Sequence, residues 1–183
     1  IVTGVIVQQK RKEEYVRSKH GVILASGGFS RNQKLRHLLM PEPTPPLSPI
    51  AETIPGDGIS AALEAGGVLG QGHAENAFLT TVSIRQRSDG STAVFPHFVF
   101  DRGKPGLIAV TSKGDRFVSE ATDYHSFGRA MYANKQNGTI PCHFICDHQF
   151  VRKYGLGMVH PGATNLARAI RDGYVIKEDT IPD

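Results

Sequence analysis

Long apolar runs are missing from this 183-residue chain. No window approaches the ~20 residues that a membrane-spanning helix needs, and no signal-like start is present, so a transmembrane segment is not expected. Cysteine is scarce, with two in the sequence, so nothing implies a disulfide framework, and the expectation is a reducing, cytoplasmic setting. An excess of one charge is lacking as well, since 21 Lys and Arg stand against 17 Asp and Glu. The basic residues are scattered except in Lys10-Arg11-Lys12, which Glu13 and Glu14 follow at once. Such a run marks a solvated turn, and no nucleic-acid partner is expected. Internal repeats and low-complexity segments are absent. What remains is a globular chain, 39% hydrophobic, long enough for one substantial core or two small ones.

The segment Cys142-His143-Phe144-Ile145-Cys146-Asp147-His148 offers metal-ligand residue types, but it reads as a strand. Period 2 puts Cys142, Phe144 and Cys146 on one face and His143, Ile145 and Asp147 on the other, so the ligands diverge. A structural zinc site needs four that converge, and no metal is expected.

What is there begins with a hairpin. Val2 to Gln8 reads as a strand, Lys10 to Glu14 as a charged turn, and Tyr15 to Arg17 as the start of the return. The stretch Gly21-Val22-Ile23-Leu24-Ala25-Ser26-Gly27-Gly28-Phe29-Ser30-Arg31-Asn32 then predicts a strand buried on both faces of a parallel sheet, a glycine turn and a helix start. Gly27 and Gly28 leave no Cβ in the way of a ligand, and either Ser30 or Asn32 can cap the helix over residues 33–40. Five prolines between Pro41 and Pro49 end that helix and make a semi-rigid surface loop. Thr53-Ile54-Pro55-Gly56-Asp57-Gly58 opens a second helix, Ile59 to Ala65, with Asp57 as its cap and Gly66 closing it. The Asp57 carboxylate can accept hydrogen bonds from a ligand's hydroxyl or ring N–H groups.

From His73 to Arg87 no single period dominates, and 88–91 is a turn. Leu107 to Thr111 reads as a strand, Ser112 to Asp115 as a tight turn, and Arg116 to Val118 as the partner strand. Ser126 to Asn134 and Leu166 to Ile170 read as helices, and Tyr174 to Ile176 as a short extended exit.

Taken together, Gly21 to Asn32, Thr53 to Gly58, Gly106 to Gly128 and Gly173 to Thr180 resemble, in order, four motifs of the fumarate reductase and 3-ketosteroid dehydrogenase group of FAD-dependent oxidoreductases. The resemblance reaches the middle of such an enzyme. Neither the G-x-G-x-x-G dinucleotide fingerprint nor the glycine-rich segment that completes the flavin site lies in this sequence, so the chain is expected to be an internal piece. The fold class implied is α+β: part of an FAD-binding α/β domain over residues 1–72, then an α+β substrate (capping) domain over residues 73–183 that closes over the flavin.

By the same resemblance, Ala25, Ser26, Gly27, Gly28, Asn32, Thr53, Gly56, Asp57 and Gly58 would lie along the FAD cofactor. Tyr124, in Asp123-Tyr124-His125-Ser126-Phe127-Gly128, matches the form in steroid dehydrogenases, where a tyrosine assists removal of a substrate proton while hydride leaves to flavin N5. Fumarate reductases carry an arginine there. A phenol with an ordinary pKa near 10 needs a depressed pKa or a relay for that role, which His125 could supply. The alternative for Tyr124 is a buried aromatic with its hydroxyl satisfied. Three readings follow: a dehydrogenase acting on a flat, apolar, ketosteroid-like ketone; a fumarate-reductase-like flavoenzyme for a small dicarboxylate, against which Tyr124 counts; and a folded piece that by itself binds no cofactor. Unpaired strand edges make a homo-oligomer a further expectation.

Overall fold

The computed structural model describes residues 1–70, 72 and 75–180, and the chain divides into two compact units. One comprises residues 1–40 and 50–74, the other residues 41–49 and 75–183. The domain boundary expected at residue 73 falls on residues 73 and 74, which lie outside the described residues.

In the first unit β1 (Gly4–Gln9) pairs antiparallel with β2 (Lys12–Arg17), in a register running from Gly4 opposite Arg17 to Gln9 opposite Lys12. The hairpin is where the sequence puts it, but the turn is tighter than expected. Lys10 takes the left-handed conformation at φ 59°, which matches the twist of a two-residue hairpin and leaves Lys12 to Glu14 inside the strand. Apolar residues stand exposed along both strands, with Ile6 at 62% and Tyr15 at 74%.

The buried parallel strand expected at Val22 to Leu24 is not formed. These residues form no strand, and Ile23 and Leu24 are 94% and 51% exposed. A strand exists only where a neighbour accepts and donates its backbone hydrogen bonds, and no described segment pairs with this one.

Helix α1 (Gln33–Leu39) starts where predicted. The Asn32 Oδ1 accepts the Leu35 N–H at 3.1 Å, so Asn32 and not Ser30 is the cap. Helix α2 (Asp57–Glu64) corrects the reading of Asp57. The N-cap is Gly56 at φ 86°, with no side-chain cap, and Asp57 is the first helical residue. Two backbone bonds close the helix, from Gly66 N–H to the Leu63 carbonyl and from Gly67 N–H to the Ala62 carbonyl, with Gly66 at φ 89°.

The second unit holds two antiparallel pairs, β3 (Val82–Gln86) with β4 (Thr92–Pro96) and β5 (Leu107–Val110) with β6 (His143–Cys146). Its helices are α3 (Val99–Arg102), α4 (Tyr124–Ala133), α5 (His148–Tyr154) and α6 (Leu166–Arg171), with a 3₁₀ turn at Lys135–Asn137. Among the described residues every strand pair is antiparallel, so the architecture is mixed α+β without a parallel sheet. The core is formed by Leu107, Phe150, Val151, Val159 and Ala169.

Arg116 to Val118 is not a strand. A single bridge joins Val110 to Arg116, and β5 pairs instead with the cysteine-bearing β6. The reason is local: the Glu120 carboxylate accepts the Ala109 N–H at 2.9 Å, so a side chain takes the edge position a strand would need. The proline-rich segment is not a plain surface loop either. Thr44 and Ser48 are buried, and the Thr44 hydroxyl donates to the Pro41 carbonyl at 2.7 Å. No helix among the described residues is long and apolar enough to cross a membrane.

Candidate functional site

Two places gather the residues singled out from the sequence. In the first unit the segment Leu24 to Gly27 lies against α2. Leu24, Ser26, Gly27 and Gly58 line an open groove of about 220 Å³, whose far side is Ala62, Leu63 and residues 67–69. A Cβ on Gly58 would crowd the Ser26 hydroxyl, which would have to rotate away, and would stand 3.7 Å from the Leu24 and Ser26 Cβ atoms, so the segment lies in close contact with the helix start. Since Gly56 carries no side chain, the amide groups of the first turn of α2 have no side-chain cap. They are free to donate to a ligand. Asp57 is exposed beside them.

The structure brings Ser26, Gly27 and Gly58 together, with Gly56 and Asp57 at the adjoining helix start. It does not gather the others around the groove. Gly28 faces open space, Ala25 and Thr53 are exposed outside the lining, and the Asn32 side-chain oxygen is committed to capping α1. A groove of this size is smaller than the ~300–1,000 Å³ of a complete ligand pocket. The residues present fit one wall of a dinucleotide site.

In the second unit Tyr124 is the first residue of α4, placed by the cap that Asp123 makes when its Oδ1 accepts the Ser126 N–H at 2.9 Å. Its ring meets Phe98 edge-on at 5.6 Å and Phe78 at 6.3 Å between centroids. The hydroxyl has no hydrogen-bond partner among the described residues. Phe78 is 78% exposed and Phe98 38%. Gly128 makes the neighbourhood possible, since a Cβ there would stand 2.5 Å from the Leu79 Cβ. His125 is not a loose surface histidine: its Nδ1 accepts the Leu79 N–H at 3.1 Å, which places the neutral ring's proton on Nε2.

Four residues before Tyr124, Glu120 is 8% exposed and receives Arg116 through two bonds, Nε to Oε1 at 3.1 Å and Nη2 to Oε2 at 2.6 Å. Burial raises the Glu120 carboxyl, but the hydrogen bonds from Arg116 and from the Ala109 amide outweigh it and hold the group below its ordinary value. Burial pushes the Cys142 and Cys146 thiols up to about 11. No described group of three or more His, Cys, Asp and Glu could hold a metal.

The sequence of the FAD binding domain family matches residues 1–171. The chain belongs to this FAD-binding family. Among its relatives, the 4-oxocyclohex-2-ene-1-carboxylate 5-dehydrogenase of Sinomonas cyclohexanicum is 33% identical over 189 residues, spanning 100% of this chain and 31% of that protein. The 3-oxosteroid 1-dehydrogenase of Mycolicibacterium smegmatis is 30% identical over 177 residues, covering 91% of this chain and 29% of the relative. A solved 3-ketosteroid Δ1-dehydrogenase from Sterolibacterium denitrificans, in complex with 1,4-androstadiene-3,17-dione, superposes with a TM-score of 0.71 at 29% identity, over 94% of this chain and 30% of that one. The chain thus spans about a third of the length of the relatives it matches. It is related to FAD-dependent oxidoreductases acting on CH–CH bonds, and its cofactor class is FAD.

Phe78 and Phe98 escaped the sequence reading. Phe78 lies in the segment without a clear period, and Phe98 precedes a helix of only four residues. The signal that existed was Asp101 four residues after His97 with Gly103 closing the turn, a spacing that marks a short helix.

Proposed function

We propose that this chain supplies one wall of the flavin site and the proton-removing tyrosine of a dehydrogenase acting on a flat, apolar cyclic ketone. The observation that carries it is Tyr124: a half-buried ring at a helix start, edged by Phe78 and Phe98, with its hydroxyl unengaged. Exposed aromatic edges favour a flat hydrocarbon over a small dianion, which would need converging arginines. The names of the relatives agree in kind, since each acts on a ring ketone.

In this reading residues 1–72 belong to the FAD-binding domain and residues 73–183 to the substrate domain. Ser26, Gly27 and Gly58 would approach the cofactor through backbone, with Ala25, Gly28, Asn32, Thr53 and Gly56 along it and Asp57 accepting from its hydroxyl or N–H groups. Because Asn32 Oδ1 caps α1 and its backbone N–H donates to the Phe29 carbonyl, its contribution would be through the side-chain Nδ2. Bound FAD supplies a hydride acceptor at N5. Tyr124 takes the substrate's proton at its phenolic oxygen, either as the phenolate or by passing on its own proton as it receives the new one. His125 has its Nδ1 committed to Leu79, so any passage through this ring involves Nε2.

The test is stopped-flow reduction of the flavin by a 3-ketosteroid in the full-length, flavin-loaded enzyme. Tyr124→Phe keeps ring packing and removes the hydroxyl, so substrate binding should survive while reduction slows by roughly a hundredfold to ten-thousandfold. Reduction at the wild-type rate would overturn the role. Activity on fumarate and on no ketosteroid would move the chain to the dicarboxylate reading.

A further inference from the structure

Helix α3 has four residues, too short to be stable on its own, yet both of its ends are held by buried polar groups. On one side a hydrogen-bonded chain runs through the second unit. Met158 N–H donates to the Tyr174 hydroxyl at 3.1 Å, which lies 2.6 Å from Ser83 Oγ. Ser83 Oγ lies 2.8 Å from His97 Nε2, and His97 Nδ1 lies 2.5 Å from Asp101 Oδ2 on α3. With the His97 ring neutral, the direction of every proton follows. A carboxylate only accepts, so Nδ1 carries a proton toward Asp101 and Nε2 of the neutral ring must accept. Ser83 therefore donates to His97 and accepts from Tyr174, which in turn accepts from the backbone.

Serine, histidine and aspartate are in the order of a hydrolytic triad, but Ser83 Oγ is closed off by Tyr174, and His97 is 3% exposed between Phe95 and Phe144 at 5.2 and 5.0 Å. A Cβ at Gly157 would collide with the Tyr174 hydroxyl and come within 3.1 Å of the His97 ring, so the backbone there closes over the chain. The arrangement holds, and does not attack.

On the other side of α3, Arg102 is fully buried. Its Nη1 donates to the Glu120 carbonyl, its guanidinium lies 4.4 Å over the Phe127 ring of α4, and Nε and Nη2 have no hydrogen-bond partner among the described residues. Desolvation lowers this guanidinium from its usual value, against the pull of Asp101, Asp123, Cys142 and Glu120. A buried cation so thinly paired is costly. Between the two anchors sits Phe98, the N-cap of α3, whose carbonyl accepts the Asp101 and Arg102 N–H groups at 3.3 Å and whose ring edges Tyr124.

We propose that α3 is a bracket that sets the Tyr124 ring: His97 and Arg102 are positioning residues, acting through Phe98. The placement of the ring stands on the structure alone; its consequence for turnover rests on the proton-removing role proposed above for Tyr124.

The experiment uses the full chain with ring-labelled tyrosine, the Tyr124 resonance being assigned by its loss in Tyr124→Phe. Ser83→Ala should break the chain while Asp101 still holds the His97 proton on Nδ1, and should shift both the Tyr124 resonance and that of the His97 Nε2, which loses its donor. Ser83→Thr should restore both. Phe98→Leu should shift the Tyr124 resonance with the anchors intact, and Arg102→Met should shift it from the other side. If Arg102→Met fails to fold, the serine pair and Phe98→Leu still decide. A Tyr124 resonance unmoved in folded Ser83→Ala and Phe98→Leu would overturn the bracket. In the flavin-loaded full-length enzyme, Ser83→Ala should slow flavin reduction by up to about a hundredfold with KM little changed, and Ser83→Thr should recover it. If Tyr124→Phe reduces its flavin at the wild-type rate while the resonances move as stated, the catalytic reading fails and the bracket stands.

Discussion

Removing the Glu120 carboxylate should loosen β5 and the approach to α4 in a way that separates its two partners. Glu120 Oε1 accepts the Ala109 N–H at 2.9 Å, and Ala109 is 0% exposed. Glu120→Ala orphans that amide where water cannot reach it, a cost of about 1–3 kcal/mol. Glu120→Gln keeps an oxygen for the amide but turns an NH2 toward Arg116, giving up the Nη2 to Oε2 bond and the charge, at a side chain that is 57% exposed and screened by solvent. It should therefore cost a small fraction of the alanine change, as should Arg116→Ala. Because the sequence contains no tryptophan, unfolding is followed by far-ultraviolet circular dichroism in urea, with hydrogen exchange at the Ala109 amide as the local reading. Glu120→Ala should lower the midpoint and speed exchange at Ala109; Glu120→Gln should leave that exchange near wild type. The pH dependence has a fixed sign. The folded carboxyl lies below its ordinary value of 4.5, so its contribution is complete above that value and is lost as pH falls through the lower folded one. Acid sensitivity in this range should diminish in Glu120→Gln. Equal costs for alanine and glutamine, or an Arg116→Ala as damaging as Glu120→Ala, would refute the reasoning.

In the full-length protein, Asp57→Ala should reduce flavin retention with little change in Tm, since no side-chain cap is lost; full retention would remove Asp57 from the site. Asn32→Ala should instead cost about 1 kcal/mol of stability through loss of the α1 cap, measured by urea unfolding. With both thiols near 11, about one in a thousand is ionised at pH 8, so Cys142 and Cys146 should react slowly with a disulfide reagent; fast reaction of either would contradict its burial. Residues 1–70 should exchange amide hydrogens faster than residues 75–180, and light scattering should show association of the chain, because Ile23 and the β1–β2 strands leave apolar surface and unpaired edges exposed. A strict monomer with uniform protection would argue against both.

Local chemistry was legible in the sequence wherever one or two neighbouring residues decide the outcome. The Asn32 cap, the end of α1 before the prolines, the left-handed Gly66 and the first hairpin all rest on contacts within a few positions. The order of four short motifs likewise carried the flavoenzyme resemblance, because glycine spacing and Tyr124 in place of arginine are written in the chain itself. Tertiary structure decided what depends on partners far along it. Val22 to Leu24 has the composition of a core strand and yet is not one here, since pairing requires another backbone and apolar side chains cannot supply it. Leu107 to Val110 pairs along one edge with β6, more than 30 residues away, while a carboxylate thirteen residues after Leu107 takes the Ala109 amide on the other. The company of Tyr124 was equally out of reach, for Phe78, Phe98, His97 and Arg102 meet it or each other only after β3, β4, α3 and α4 have packed. Hydrogen bonds and ring contacts of that kind join residues by distance in space, which spacing along the chain does not encode.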